Sequence, residues 1–275
     1  MALDINAIRG RLNKLQNTQK KTDALWKPTP GKSQIRIVPY KFNKDNPFIE
    51  LYFHYNVNNK TYLSPISFGR PDPIVEFADK LKRMGDKEDW KAAKAMEPKL
   101  RTFVPIIVRG QENEGVKFWG FGKTVYQEIL GYIADPDYGD ITDPTAGRDL
   151  TVEYVSAEDA GTSYPTTTLR VKPNQTPLAE GSDIQKFLDG QTEITELYQE
   201  LSYAELKNVL EGWLNPSATS DDESEGSVAE ETLSAPKPSV SHDLGGSIET
   251  PSQPAPAVSK KTDDVAAAFD DLFNN

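Results

Sequence analysis

Past Leu214 the chain stops supplying what a hydrophobic core needs. Residues 215–275 are dominated by Ser, Pro, Asp, Glu, Ala and Gly, and no aromatic residue occurs among them before Phe269. Such a segment cannot bury enough apolar surface to offset the entropy of ordering it. The composition therefore predicts a disordered acidic tail and confines folding to residues 1–214, which is ample for a core. The charge is sorted along the same lines. The net charge of −11 conceals a first section, residues 1–134, with 23 Lys+Arg against 14 Asp+Glu. Residues 135–214 carry 5 against 16, and residues 215–275 carry 3 against 12. A basic half joined to an acidic half points to a polyanionic partner, with a built-in competitor for the same surface. The sequence further suggests that residues 135–214 form a folded acidic wall.

Several function classes fall away at once. There is no cysteine, which excludes disulfides, thiolate zinc sites, iron–sulfur clusters and cysteine nucleophiles. No apolar run approaches the roughly 20 residues of a membrane helix. The first residues lack the basic and apolar regions of a signal peptide, so the expectation is a soluble, intracellular protein. Gly31-Lys32-Ser33 mimics the end of a phosphate-binding loop, but Trp26 stands where the earlier glycine is required. Asp135 to Asp140 begins like a calcium loop, yet its sixth position is Asp140 and its twelfth Ala146. With only His54 and His242 present, no Ser/His/Asp set is evident. We expect no enzyme.

Periodicity supplies the elements. Ile5, Ile8, Leu12 and Leu15 repeat at helical spacing over residues 3–16, amid Arg9, Arg11, Lys14, Lys20 and Lys21. That segment either packs on its own core or acts as a mobile basic arm that docks on a neighbour or on a phosphate backbone. Strands are expected at Gln34–Tyr40, Phe48–Tyr55, Thr61–Leu63, Thr102–Arg109, Val116–Gly122, Leu150–Val155 and Thr167–Val171. Helices are expected at Pro73–Met84, Glu88–Met96 and Thr124–Ala134 and within Ser182–Leu214. At the far end, Val265, Phe269, Leu272 and Phe273 share a helical face among acids. That is the pattern of a short peptide that folds in a partner's groove.

Two segments interleave cations with rings at strand spacing. Alternation puts Lys117, Trp119, Phe121 and Lys123 on one face, and Lys99, Arg101, Phe103 and Pro105 on another; Val104, Ile106 and Val108 oppose the latter as core. An exposed face of this kind suits single-stranded nucleic acid, because cations track phosphates and any base can stack on a ring. Gly120 and Gly122 would let bases or backbone approach the sheet. The alternative is that Trp119 and Phe121 are core and the lysines snorkel outward.

Trp26-Lys27-Pro28 leading into Ile35-Arg36-Ile37-Val38-Pro39, then Glu114-Gly115-Val116-Lys117 with Phe121-Gly122-Lys123, resemble the single-stranded-DNA-binding proteins of T-even-type bacteriophages. The basic arm, core and acidic tail ending in Asp270-Asp271-Leu272 fit the same family. The resemblance implies an α+β fold: an OB-fold core (a five-stranded β-barrel) with an additional helical lobe, a short N-terminal arm and a disordered acidic tail. The implied domains are an arm over 1–22 for cooperative self-association, a core over 23–214 and a tail over 215–275. It also implies cooperative coating of single-stranded DNA in replication, recombination and repair, in the cytoplasm of the infected host cell. Lys99-Leu100-Arg101-Thr102 matches the family's core motif of basic residues followed by Ser/Thr, and Lys20-Lys21-Thr22 is a looser match for the arm copy. Phe103, Trp119 and Tyr164 fall at aromatic positions of the binding cleft. The tail would occupy that cleft until DNA displaces it, and would present its tip to replication and recombination proteins. The family's zinc ligands, a histidine and three cysteines, are not retained. His54 aligns with the histidine, but Asp72-Pro73-Ile74-Val75 replaces the Cys-Pro-x-Cys stretch. One imidazole and one carboxylate cannot close a structural zinc site, so no cofactor is expected. Packing by Phe68, Ile74, Phe77 and Leu81 is expected to take its place. A single-stranded-RNA-binding module of the same fold, and an adaptor whose basic face binds an acidic protein, remain as rival readings.

Overall fold

The structure, a computed structural model, describes residues 9, 11–12, 21–85, 87–181, 183–214, 268–269 and 272–273. Contacts divide the chain into two units, one of residues 1–53 and 100–200 and the other of residues 54–99 and 201–275. No helix among the described residues is long and apolar enough to cross a membrane.

The first unit is built on a sheet of β1 (Leu25–Trp26), β2 (Gly31–Ile37), β5 (Lys99–Val108), β6 (Lys117–Phe121), β7 (Arg148–Val155) and β8 (Thr166–Gln175). Their pairing order is β1-β6-β5-β2-β7-β8, with β3 (Ile49–Val57) branching off β5. All neighbours on the path are antiparallel except β1 and β6, which run parallel. The α+β class therefore holds, but a closed five-stranded barrel is corrected: the sheet has eight strands, counting β4 below, and is open, with β1 and β8 at its ends.

Period-two alternation decides what this sheet buries. Ile35 and Ile37 of β2, Val104, Ile106 and Val108 of β5, and Leu150 and Val152 of β7 all turn to one face. There they pack with Ile129 of α3 (Lys123–Ala134) and with Ile141 and Leu169. A smaller cluster on the opposite side joins Val38, Ile107 and Leu178 to Ile184 and Phe187 of α5 (Asp183–Asp189). A four-residue helix, α4 (Ala157–Ala160), precedes β8.

Arg36 shares the polar face of β2 with Lys32 and Gln34, yet it is fully buried. Its Nη1 donates to Asp149 Oδ1 at 3.1 Å and to Thr176 Oγ1 at 3.2 Å, and its Nη2 donates to the carbonyls of Asp143 (3.0 Å) and Thr176. Gly147 makes room for this arrangement. A Cβ there would lie 2.5 Å from the Asp143 carbonyl oxygen and 2.8 Å from Arg36 Nη2.

In the second unit the last residues of β3 pair with β4 (Lys60–Leu63). Asn58 and Asn59 between them have φ of 51° and 56°, as a two-residue turn with both central residues at positive φ requires. The helices are α1 (Pro73–Met84), α2 (Lys87–Met96) and α6 (Tyr203–Leu214). The bounds of α1 follow from local chemistry. Asp72 Oδ1 accepts from the Ile74 N–H at 2.9 Å, Pro73 opens the first turn, and Gly85 closes the helix at φ 82°. Ile74, Phe77 and Leu81 of α1 pack with Ala93 and Met96 of α2 and Leu206 and Leu210 of α6.

Candidate nucleic-acid interface

The antiparallel register of β5 and β6 sets Phe103 opposite Gly120 and Val104 opposite Trp119. Alternation then gives Arg101, Phe103, Gly120 and Gly122 one face, and Val104, Ile106, Trp119 and Phe121 the other. The second face is the core. Trp119 and Phe121 are buried, with ring centroids 4.7 Å apart, and Trp26 meets Trp119 edge-on at 5.6 Å. This corrects the expectation that Trp119 and Phe121 lie on an exposed face with Lys117 and Lys123. For β5 the expected parity holds, although Phe103 is buried rather than exposed; for β6 the side turned away from this core is the one bared by glycines.

On that side the Phe103 ring lies over Gly120, where a Cβ would come within 2.7 Å of its Cε1. Phe53 and Tyr198 flank it at centroid distances of 6.1 and 5.6 Å, and are themselves 5.0 Å apart. Two cations join the three rings. Arg101 Nη2 donates to the Gly120 carbonyl at 2.9 Å, and Lys21 Nζ stands 4.6 Å from the Tyr198 ring centroid. Phe53 and Phe103 are buried and Tyr198 is half-buried, so Tyr198 is the outermost ring. Sequence reasoning missed it: it follows a short 3-10 turn (Ile194–Leu197) in an acidic stretch with no strand pattern around it.

The other expected residues scatter. Lys99 is exposed at the start of β5, and Lys123 is exposed at the first position of α3. Lys117 is half-buried and ion-paired with Glu114. Tyr164 sits in the turn before β8, its carbonyl accepting from Thr162 Oγ1 at 2.7 Å; among the described residues it makes no ring contact with the cluster. In the arm, Arg9, Arg11 and Leu12 are helical and exposed, whereas Lys14 and Lys20 lie outside the described residues.

A second basic surface was not expected at all. On the polar face of β2, β7 and β8, Lys32 pairs across from Glu153, and Thr151 across from Arg170. Lys32, Arg170 and Lys172 line a depression of about 330 Å³ together with Thr151 and Glu153. Residues 135–214 are thus not a uniform acidic wall. Their Arg170 and Lys172 face solvent, and their Asp149 is buried beneath Gln34, Arg36 and Arg109. The signal was present in the period-two spacing of Arg170 and Lys172, but the regional charge sum hid it.

At the position aligned with the family's zinc ligand, His54 is buried and each ring nitrogen faces an acceptor. Nδ1 meets the Met96 carbonyl at 2.8 Å and Nε2 meets Asp72 Oδ2 at 2.9 Å. Both ring nitrogens are therefore engaged by groups of the lobe itself. Ser64 Oγ donates to the same Asp72 oxygen at 2.5 Å. Burial works against the Asp72 carboxylate, but the hydrogen bonds from His54, Ser64 and Ile74 outweigh it and hold it below the usual carboxylate range. Among the described residues no group of three or more His, Asp or Glu could hold a metal ion. Ile74, Phe77 and Leu81 pack as expected, but Phe68 is exposed, with the Arg70 guanidinium 5.0 Å over its ring. Phe68 is corrected as a core substitute.

At the C-terminus Phe269 is buried, Phe273 half-buried and Leu272 exposed, while Val265 lies outside the described residues. The family model described as gp32 DNA binding protein like matches residues 29–212. A search among curated proteins finds no match.

Proposed function

The chain belongs to the gp32 DNA binding protein-like family, and from that premise we propose that it binds single-stranded DNA without sequence preference. The observation that carries this reading is the Arg101–Phe103 face of β5, laid against Gly120 and Gly122 with Tyr198 and Lys21 beside it. Arg101, with Lys99 and Lys123 exposed at the element ends, would neutralise phosphates, whereas Lys117 is already paired with Glu114. A base enters against Tyr198 and Phe103, exchanging ring–ring contacts for ring–base contacts of the same kind, so identity matters little. Cooperative filling of the strand would come from the arm through Arg9, Arg11, Lys14, Lys20 and Lys21, since each added protomer gains a protein–protein contact. The core would be an opened relative of the OB fold. The role is coating and protecting single strands in bacteriophage replication, recombination and repair, in the cytoplasm of the infected host cell, as a non-enzymatic protein without a metal.

A contest between poly-dT and duplex DNA across a salt series tests the class. The expected result is strong, salt-sensitive preference for the single strand; equal affinity for both would sink the reading. Paired RNA and DNA oligonucleotides separate the RNA-binding alternative. Phe103→Leu keeps an apolar side chain over Gly120 but removes the ring. It should weaken oligo-dT binding by about 1–3 kcal/mol with little change in melting temperature, and unchanged affinity would remove Phe103 from the interface.

A further inference from the structure

The helical unit ends in a contact that its own helices do not explain. Phe269 is 3% and Ala268 4% exposed, although residues 215–267 separate them from α6. Phe269 sits among Ile74, Phe77, Leu81, Leu206 and Leu210, meeting the Phe77 ring edge-on at 6.0 Å. Phe273 follows one helical turn later, 4.8 Å from Phe269 and 6.4 Å from Tyr203. Lys207 of α6 closes the site: its Nζ stands 5.8 Å from the Phe269 ring and 5.1 Å from the Phe273 ring, and donates to the Phe273 carbonyl at 3.1 Å. This is a helix-in-groove arrangement with anchors at i and i+4 and a cation at the acidic peptide's C-terminal end.

We propose that the α1–α6 face of the helical unit is a peptide-binding seat whose occupant is the chain's own C-terminal tip, held there as a latch. Phe269 and Phe273 are the residues by which this tip would engage another protein, and in the seat they are already engaged. Any partner that reads the same rings must compete with the seat. The tether supplies the tip at an effective concentration in the millimolar range, so a modest contact suffices to keep it closed and a moderately tight partner suffices to open it. Binding through the tip then becomes conditional, and the vacated seat becomes an apolar groove open to a second peptide of the same type. The latch does not depend on the DNA-binding reading, since none of its residues lies on the β5–β6 face.

Hydrogen–deuterium exchange on the full-length chain tests this, comparing wild type with Phe269→Ala/Phe273→Ala. The variant should lose protection in peptides covering residues 73–84 and 203–214. A labelled peptide of residues 262–275 should restore that protection in the variant, and should bind it at least roughly tenfold tighter than wild type, whose seat is filled. Lys207→Glu should weaken the peptide in the variant background. Three outcomes overturn the proposal: equal protection in both chains; protection lost in the variant and not restored by peptide, which makes Phe269 a fixed core residue; or wild-type protection that falls on dilution, which assigns the seat to another copy's tip. Oligo-dT affinity, measured alongside, should be the same in variant and wild type at high salt.

Discussion

In the sheet unit a buried cation, Arg36, is surrounded by partners that overlap in role; in the helical unit a buried histidine, His54, has one carboxylate, Asp72, and one carbonyl, Met96, each on a separate ring nitrogen. Arg36 reaches Asp149, the side chain and carbonyl of Thr176 and the Asp143 carbonyl, while Asp149 also accepts from Gln34 and from Arg109 at 2.8 Å. Asp72 instead joins three elements alone: Oδ2 takes His54 and Ser64, and Oδ1 caps α1. The sheet spreads its buried charge over strands and two loops, whereas the lobe concentrates its polar closure at a single side chain. That difference sets how each unit should fail.

The largest effect is expected where two guanidiniums share a carboxylate. Asp149→Ala leaves Arg36 buried without an anion, and should cost about 3–5 kcal/mol in urea unfolding of the sheet unit. A cost below about 1 kcal/mol would mean that the carbonyls of Asp143 and Thr176 satisfy Arg36 unaided. Trp119→Ala belongs to the same range. Trp119 is core opposite Val104, so its truncation should cost about 3–5 kcal/mol of stability and report on packing rather than on base stacking.

A smaller effect is expected in the lobe, where Asn can keep the cap. Asp72→Asn still accepts from the Ile74 N–H but loses the charge that faces His54 and Ser64; about 1–3 kcal/mol should go. The pH dependence carries the sign. The carboxyls of Asp72 and Asp149 are both held below their ordinary value, burial working against them and hydrogen bonds prevailing: from His54, Ser64 and Ile74 in one, from Arg109 and Gln34 with the charges of Arg109 and Arg36 in the other. Their contribution is therefore complete above the unfolded-state pKa of about 3.9 and is lost as the pH falls through each lowered folded value. Exchange measured between pH 5 and pH 2 should show both units loosening, and Asp72→Asn should flatten the acid limb in residues 54–99 only. Flattening in both units would erase the distinction between them.

The same contrast explains what could be read in the chain. The bounds of α1 were legible because Asp72, Pro73 and Gly85 act locally, and the core face of β5 was legible because Val104, Ile106 and Val108 alternate with Arg101 and Phe103. Which side of β6 turns to the core was not. Alternation offers two faces, and only the register that puts Phe103 on Gly120 and Val104 on Trp119 chooses between them. Tyr198 and Phe269 lay further out of reach, since each meets rings more than 90 residues away along the chain with no local pattern to announce it. The polar closure of the lobe was half legible. The loss of the family's cysteines could be read directly, but Ser64 and the Met96 carbonyl are joined to His54 and Asp72 only by the fold.

The smallest expected effect decides how far the sheet's basic character extends. Lys32, Arg170 and Lys172 lie on the polar face of β2, β7 and β8, which strand parity makes continuous with the Arg101–Phe103 face, since Arg36 stands opposite Ile107 of β5. Lys32 is 3.8 Å from Glu153 in a solvent-exposed pair, which contributes little to folding. Replacing all three cations by Gln should therefore leave melting unchanged. If single-stranded DNA tracks across this face, each lost phosphate contact should reduce the magnitude of the slope of log affinity against log salt by about 0.7. A triple variant with the wild-type slope would confine the interface to Arg101, Phe103 and Tyr198. A reduced slope with unchanged discrimination among base sequences would make the depression a phosphate track: the cations along it would add affinity, and the rings at the β5–β6 face would hold the bases.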